Sequence, residues 1–149
     1  MAILEFSLDL PTQSSQLMKL CEDYENLSKY LPDQLKSVKI IEENETETKT
    51  EETVVFSTLI KKEIIQQALH RKISDNKLNT EIISGPAKGT MIYITFETNN
   101  SGSKVIIEID LKLVLKAKIL RPLIRKFYKT ALTCVLYKMN NVIMESQTT

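Results

Sequence analysis

Residues 105–144 read VIIEIDLKLVLKAKILRPLIRKFYKTALTCVLYKMNNVIM, and two periodicities meet inside that stretch. Val105, Ile107, Ile109, Leu111 and Leu113 alternate with Ile106, Glu108, Asp110 and Lys112. Period two, with one face apolar and the other mostly charged, predicts a strand in a sheet that is dry on one side and wet on the other. From Ile119 the spacing changes. Leu120, Leu123, Ile124, Phe127, Tyr128, Ala131, Leu132, Val135, Leu136, Met139, Val142 and Ile143 recur at intervals of three and four. That spacing predicts a helix over about residues 119–145, about 40 Å long, with a broad apolar face. Pro122 lies near its start, where a missing N–H costs little.

Working backwards, the chain holds more strands. Ala2–Leu8 reads as a first strand, broken by Pro11, Thr12 and Gln13. Ser14 or a neighbour caps a short helix to about Leu20, with Leu17, Met18 and Leu20 apolar. A second short helix covers Asp23–Ser28 and stops before Pro32. Strands are expected at Val38–Ile41, Val54–Ile60, Ile64–Ile73, Leu78–Ile82 and Met91–Glu97, separated by turns such as Asp75-Asn76, Gly85-Pro86 and Asn99–Gly102. Neighbouring strands joined by short turns pair antiparallel. The predicted architecture is α+β: a curved antiparallel sheet of about seven strands around a long C-terminal helix, with two short helices after strand 1.

The composition suits this size of fold. The chain has 149 residues, 42% hydrophobic and 26% charged, enough for one domain over residues 1–149 with a real core. Twenty Lys+Arg against 19 Asp+Glu leave a net charge of +1, which argues against nucleic acid as a partner. One His and two distant Cys argue against a metal centre, and no cofactor motif is present. Ser84-Gly85-Pro86-Ala87-Lys88-Gly89 lacks the phosphate-loop pattern and reads as a turn. Cys21 and Cys134 are expected as free structural thiols. The N-terminus does not read as a signal peptide, no apolar run reaches membrane-spanning length, and the cytoplasm is the expected compartment.

Three segments carry a family resemblance. Asp23-Tyr24-Glu25-Asn26-Leu27-Ser28-Lys29-Tyr30-Leu31-Pro32 resembles the acidic second helix of the START-like, or SRPBCC, superfamily, in its polyketide cyclase and coenzyme Q-binding branch. Ser84–Gly89 with Ile92, Ile94 and Phe96 resembles that branch's Gly-Pro turn and following strand. Val105–Leu113 and the helix after it resemble its last strand and closing helix. The chain departs at Leu27-Ser28, at Ala87 and at Ile94, where the branch usually has Tyr-Pro, an aromatic residue and often Trp. The resemblance implies the helix-grip fold and a cavity between sheet and helix. It implies a hydrophobic or amphipathic small molecule as partner, such as a lipid, quinone or polyketide-like compound.

The expected lining comes from the inner face of the sheet and the facing side of the helix: Phe56, Gln67, Leu69, Ile82, Ile94, Phe96, Ile107, Ile109, Leu111, Phe127, Tyr128, Leu132 and Leu136. Each of these is singly explained as ordinary core. Of the pair Gln66-Gln67, alternation sends one amide inward, where it needs a partner. His70 has no triad-like spacing around it and reads as an exposed or satisfied strand residue, so no catalytic residue is assigned. A carrier, chaperone or sensor is therefore expected before a cyclase- or dehydratase-like enzyme. Inward-pointing His70, Gln67 and Tyr93 around one void would favour the enzyme. A homodimeric interaction module would instead expose an apolar patch on the outer sheet face, near Ile106 or Tyr93. The +1 total also hides a separation. Glu42–Glu47 reads as an acidic hairpin tip, whereas Lys112, Lys116, Lys118, Arg121, Arg125, Lys126, Lys129 and Lys138 form a basic run without an acid. That run suggests weak contact with an anionic membrane surface.

Overall fold

Alternation along the strands fixes which side chains enter the interior. The computed structural model describes residues 2–56 and 62–147. Its sheet is built from β1 (Ala2–Leu10), β2 (Leu35–Glu43), β3 (Glu47–Phe56), β4 (Lys62–Ser74), β5 (Lys77–Ile82), β6 (Met91–Asn99) and β7 (Gly102–Leu111). The seven strands lie in the order β1-β7-β6-β5-β4-β3-β2, every neighbouring pair antiparallel. Helix α1 (Ser14–Cys21) and a 3-10 helix (Tyr24–Lys29) link β1 to β2. A 3-10 turn (Leu115–Leu120) leads into α2 (Arg121–Gln147), the 27-residue helix that the sheet grips. This is the expected helix-grip architecture.

The differences from the sequence reading are local. The closing helix begins at Arg121 rather than Ile119, because residues Leu115–Leu120 form the tighter turn and Pro122 occupies the first α-helical turn. Strand β3 starts at Glu47, well before Val54. Its first half is Glu, Thr and Lys, with no apolar signal, and it is a strand because β2 and β4 hydrogen-bond to both its sides. The acidic tip therefore shrinks to a tight turn, in which Asn44 Oδ1 accepts from the backbone N–H groups of Thr46 and Glu47 and from the Thr46 hydroxyl. The expected continuation over Ser57–Ile60 lies outside the described residues. No described helix is long and apolar enough to cross a membrane.

One half of the concave face is solid. Val105, Ile107, Ile109 and Leu111 of β7 and Phe96 of β6 are buried with Leu17 and Met18 of α1, which packs against β6, β7 and α2. Polar pins hold this half together. The Thr12 hydroxyl donates to Asn140 Oδ1 of α2 at 2.8 Å, and the Ser103 hydroxyl donates to the Thr12 carbonyl at 2.5 Å. The outer edge at β2 is also tended: Glu25 Oε2, on the 3-10 helix, accepts from the Ile40 N–H at 3.1 Å.

Gly102, at the start of β7, has φ +137°, and a Cβ there would stand 2.4 Å from the Leu10 carbonyl oxygen and 2.6 Å from the Pro11 carbonyl carbon. Both obstacles are backbone, so neither swings away. Gly102→Ala should destabilise the protein by at least about 2 kcal/mol, through the strained φ and the clash together. Urea unfolding would measure it; a loss within about 0.5 kcal/mol would show that the β1–β7 corner yields easily.

Candidate functional site

The other half of the concave face is not filled. A cavity of about 170 Å³ lies between α2, the 3-10 helix and strands β3–β6. Its apolar wall comes from Leu78 and Ile82 of β5, Ile92 and Ile94 of β6, and Phe127, Ala131, Leu132, Val135, Leu136 and Met139 of α2. Tyr24, Leu27 and Leu31, spaced three and four apart, close it from the segment after α1. A roughly 150 Å³ apolar void accommodates a benzene-sized guest, so the volume suits a ring with a short chain.

The polar wall is made by β3, β4 and β5. Thr50, Glu52 and Val54 alternate inward on β3, and Gln66, Ala68 and His70 alternate inward on β4. The register sets Glu52 opposite Gln66. Gln66 Nε2 donates to Glu52 Oε1 at 2.9 Å, and the Thr50 hydroxyl donates to Glu52 Oε2 at 3.3 Å. His70 Nε2 lies 2.9 Å from Thr50 Oγ1, and His70 Nδ1 lies 2.8 Å from Thr80 Oγ1 on β5. Thr50 spends its one proton on Glu52, so it accepts from His70, and Nε2 carries a hydrogen. The imidazole is stacked on Tyr24 with ring centroids 4.2 Å apart. Both ring nitrogens are thus held by hydroxyls, and the ring face is covered.

This arrangement sets the local charge. Burial opposes ionisation of Glu52. The hydrogen-bonding and charge contributions of His70, then the hydrogen bonds from Gln66 and Thr50, outweigh it and hold the carboxyl below its ordinary 4.5. Tyr128 has its phenol pKa raised by burial and by the nearby Glu52 charge, offset in part by a hydrogen bond with Gln66. Tyr24 is raised chiefly by burial. Cys21, which lines the cavity and whose Sγ lies 3.6 Å from Met139 Sδ, is pushed up to about 12 by burial, with Glu22 adding to it. Cys21 and Cys134 are both free thiols.

The residues expected at the lining divide cleanly. Ile82, Ile94, Phe127, Tyr128, Leu132 and Leu136 surround the cavity. Phe96, Ile107, Ile109 and Leu111 do not: they are packed core in the solid half, under α1. Gln67 and Leu69 point to the other face of β4, because its inward set is Gln66, Ala68 and His70. The Phe56 side chain lies outside the described residues. Of the groups that would mark an enzyme, His70 points inward, while Gln67 and Tyr93 do not line the cavity; the Lys77 Nζ sits 5.1 Å from the centre of the Tyr93 ring. Ile106 and Tyr93 are half-buried. Glu52 lies past the acidic tip, at the end of a stretch of Glu, Thr and Lys that carries no apolar signal. Period-two spacing of Thr50, Glu52 and Val54 is the signal that finds it.

A seven-stranded antiparallel sheet gripping one long C-terminal helix is the START-like helix-grip fold. The chain belongs to the polyketide cyclase / dehydrase and lipid transport family, whose model matches residues 10–139. No curated protein sequence matches it. Among solved structures it is similar to a START superfamily protein from Mycobacterium smegmatis, at 7% identity and TM-score 0.79, covering 94% of this chain and 98% of that one. It is similar to the Zhui aromatase/cyclase from Streptomyces sp. R1128, at 9% identity and TM-score 0.80, covering 95% of each chain. It is also similar to norcoclaurine synthase from Thalictrum flavum, at 13% identity and TM-score 0.75, covering 97% of this chain and 87% of that one. At such identities the likeness is one of fold.

Two outcomes follow from the buried groups. A carboxyl whose folded pKa lies below its ordinary 4.5 adds stability that is complete above that pH and is lost as pH falls through the lower folded value. Urea unfolding from pH 7 down to pH 3 should therefore show a stability loss below about pH 4.5 that is shallower in Glu52→Gln; equal slopes would refute the assignment. The second concerns the thiol held near 12. At pH 8, iodoacetamide should label Cys21 at least about tenfold more slowly in the folded than in the unfolded chain, read by peptide mass spectrometry.

Proposed function

We propose that residues 1–149 act as one binding unit for a compact hydrophobic or amphipathic molecule, held between the sheet and α2. The observation that carries this reading is the unfilled half of the interior, a void of about 170 Å³ with an apolar wall and one polar pole. Ligand burial supplies the driving force, at about 25 cal/mol per Å² before the entropy of association. A carrier, chaperone or sensor fits better than a cyclase or dehydratase. A general base works best with a pKa near the operating pH and a free acceptor within reach of the substrate proton; His70 has both of its nitrogens on threonine hydroxyls, and the Glu52 carboxyl is held below its ordinary 4.5. The free thiols suit a reducing, cytoplasmic setting.

A second element of the reading concerns where the ligand is collected. The 3-10 turn before α2 presents Leu115 at 82% and Ile119 at 85% exposure, among exposed Lys112, Lys116 and Lys118. The Val114 N–H donates to the Pro86 carbonyl at 2.9 Å, tying the turn to the loop that carries exposed Lys88. Exposed apolar residues ringed by cations match an anionic lipid surface, where each Lys is worth about 1 kcal/mol. Lys129 and Lys138 are engaged elsewhere, Lys129 near the Phe6 ring and Lys138 donating to the Tyr30 carbonyl.

Native mass spectrometry of the protein from its expression host should reveal a co-purifying small molecule, and Ala131→Phe should remove it while keeping the fold. A filled variant that retains the same adduct would overturn the cavity reading. For the tip, co-sedimentation should be several-fold greater with phosphatidylglycerol-containing vesicles than with pure phosphatidylcholine. Leu115→Asp with Ile119→Asp should abolish the difference.

A further inference from the structure

The cavity has an uneven charge lining. Among the described lining residues Glu52 is the one carboxylate, and none is Lys or Arg. An ionised carboxylate offers about four lone-pair positions, and the hydrogen bonds from Gln66 and Thr50 use two of those on Glu52. His70 is the protein base beside it: its Nε2 lies 2.9 Å from Thr50 Oγ1 and 3.7 Å from Glu52 Oε2, a charge contact longer than a hydrogen bond. The carboxylate lines the cavity, is oriented by these contacts and keeps acceptor positions that the bonds from Gln66 and Thr50 do not use.

The surrounding groups favour a positive guest. Tyr24, Phe127 and Tyr128 contribute aromatic rings to the lining, and ring faces attract ammonium groups. An anionic guest would find no fixed cation from Lys or Arg and would face Glu52. A neutral guest can donate an O–H or N–H to the spare acceptor positions but brings no charge to pair with the carboxylate.

We propose that the cavity selects protonated amines: a compact body of about one ring, seated on the α2 wall, with its ammonium group on the free lone pairs of Glu52. The proposal rests on the cavity-binding reading and narrows its ligand class. Both an ammonium and a hydroxyl can donate to the carboxylate, but only the ammonium also pairs its charge, and that difference should give about a tenfold or greater preference for the amine.

Three probes of matched size separate the ideas: phenylethylamine, phenylethanol and phenylpropanoate, titrated calorimetrically at pH 7. The amine should bind at least about tenfold more tightly than the alcohol, and the carboxylate more weakly than either. In Glu52→Gln the amine should lose about tenfold or more, with the alcohol changing by less than about threefold. The ratio of amine to alcohol in the unaltered protein decides the matter even if that variant folds poorly. Equal binding of amine and alcohol, or tighter binding of the alcohol, overturns the amine proposal and leaves the cavity reading intact. Failure of all three to bind overturns both.

Discussion

A pleated strand cannot choose its inward residues one at a time. Once Val54 of β3 and Ala68 of β4 are turned to the interior, Thr50, Glu52, Gln66 and His70 must follow, because side chains alternate strictly along a strand. The polar wall depends on that constraint. Four hydrogen-bonding residues arrive inside together, and each is stable there because a neighbour takes its donor or acceptor. Thr80 on the next strand completes the series.

The same helix serves two different halves of the molecule. Its C-terminal part is pinned through Asn140 to Thr12 and lies against α1, with Leu17 and Met18 of α1 buried beside it. Toward the middle, Phe127, Ala131, Leu132 and Val135 meet empty space instead. The solid half supplies rigidity and the open half supplies volume, so the cavity need not compromise the packing that holds the helix in place.

The fold was legible because its two strongest signals are long and unlike each other: period two through Val105–Leu113 and helical spacing through Ile124–Ile143. The α2 side of the cavity was legible for the same reason, since Phe127, Tyr128, Leu132 and Leu136 share one stripe. The sheet side was harder. Hydrophobicity alone does not tell a residue facing a void from one facing another side chain, so Phe96, Ile107, Ile109 and Leu111 looked equivalent to Ile82 and Ile94. What separates them is α1, whose placement depends on contacts far apart in the chain. In β4, Gln66-Gln67 is chemically symmetric, and only the pairing of Gln66 with Glu52 breaks the tie. Glu52 itself was masked by its acidic neighbours, because a charge in a charged run normally reads as solvent-exposed.

The contact between Glu25 and the Ile40 N–H has a meaning beyond local geometry. β2 is one of the two free borders of the sheet, and an uncovered border is a template on which a foreign strand can add. Here a carboxylate has claimed a backbone donor at mid-strand, and Lys36, Lys39, Glu42 and Glu43 place charges along the same border. A strand trying to zip onto β2 would have to displace the carboxylate and bring its own side chains past those charges. The border is closed to fibril-like stacking by chemistry rather than by another strand, which leaves the sheet free to stay open and curved around α2.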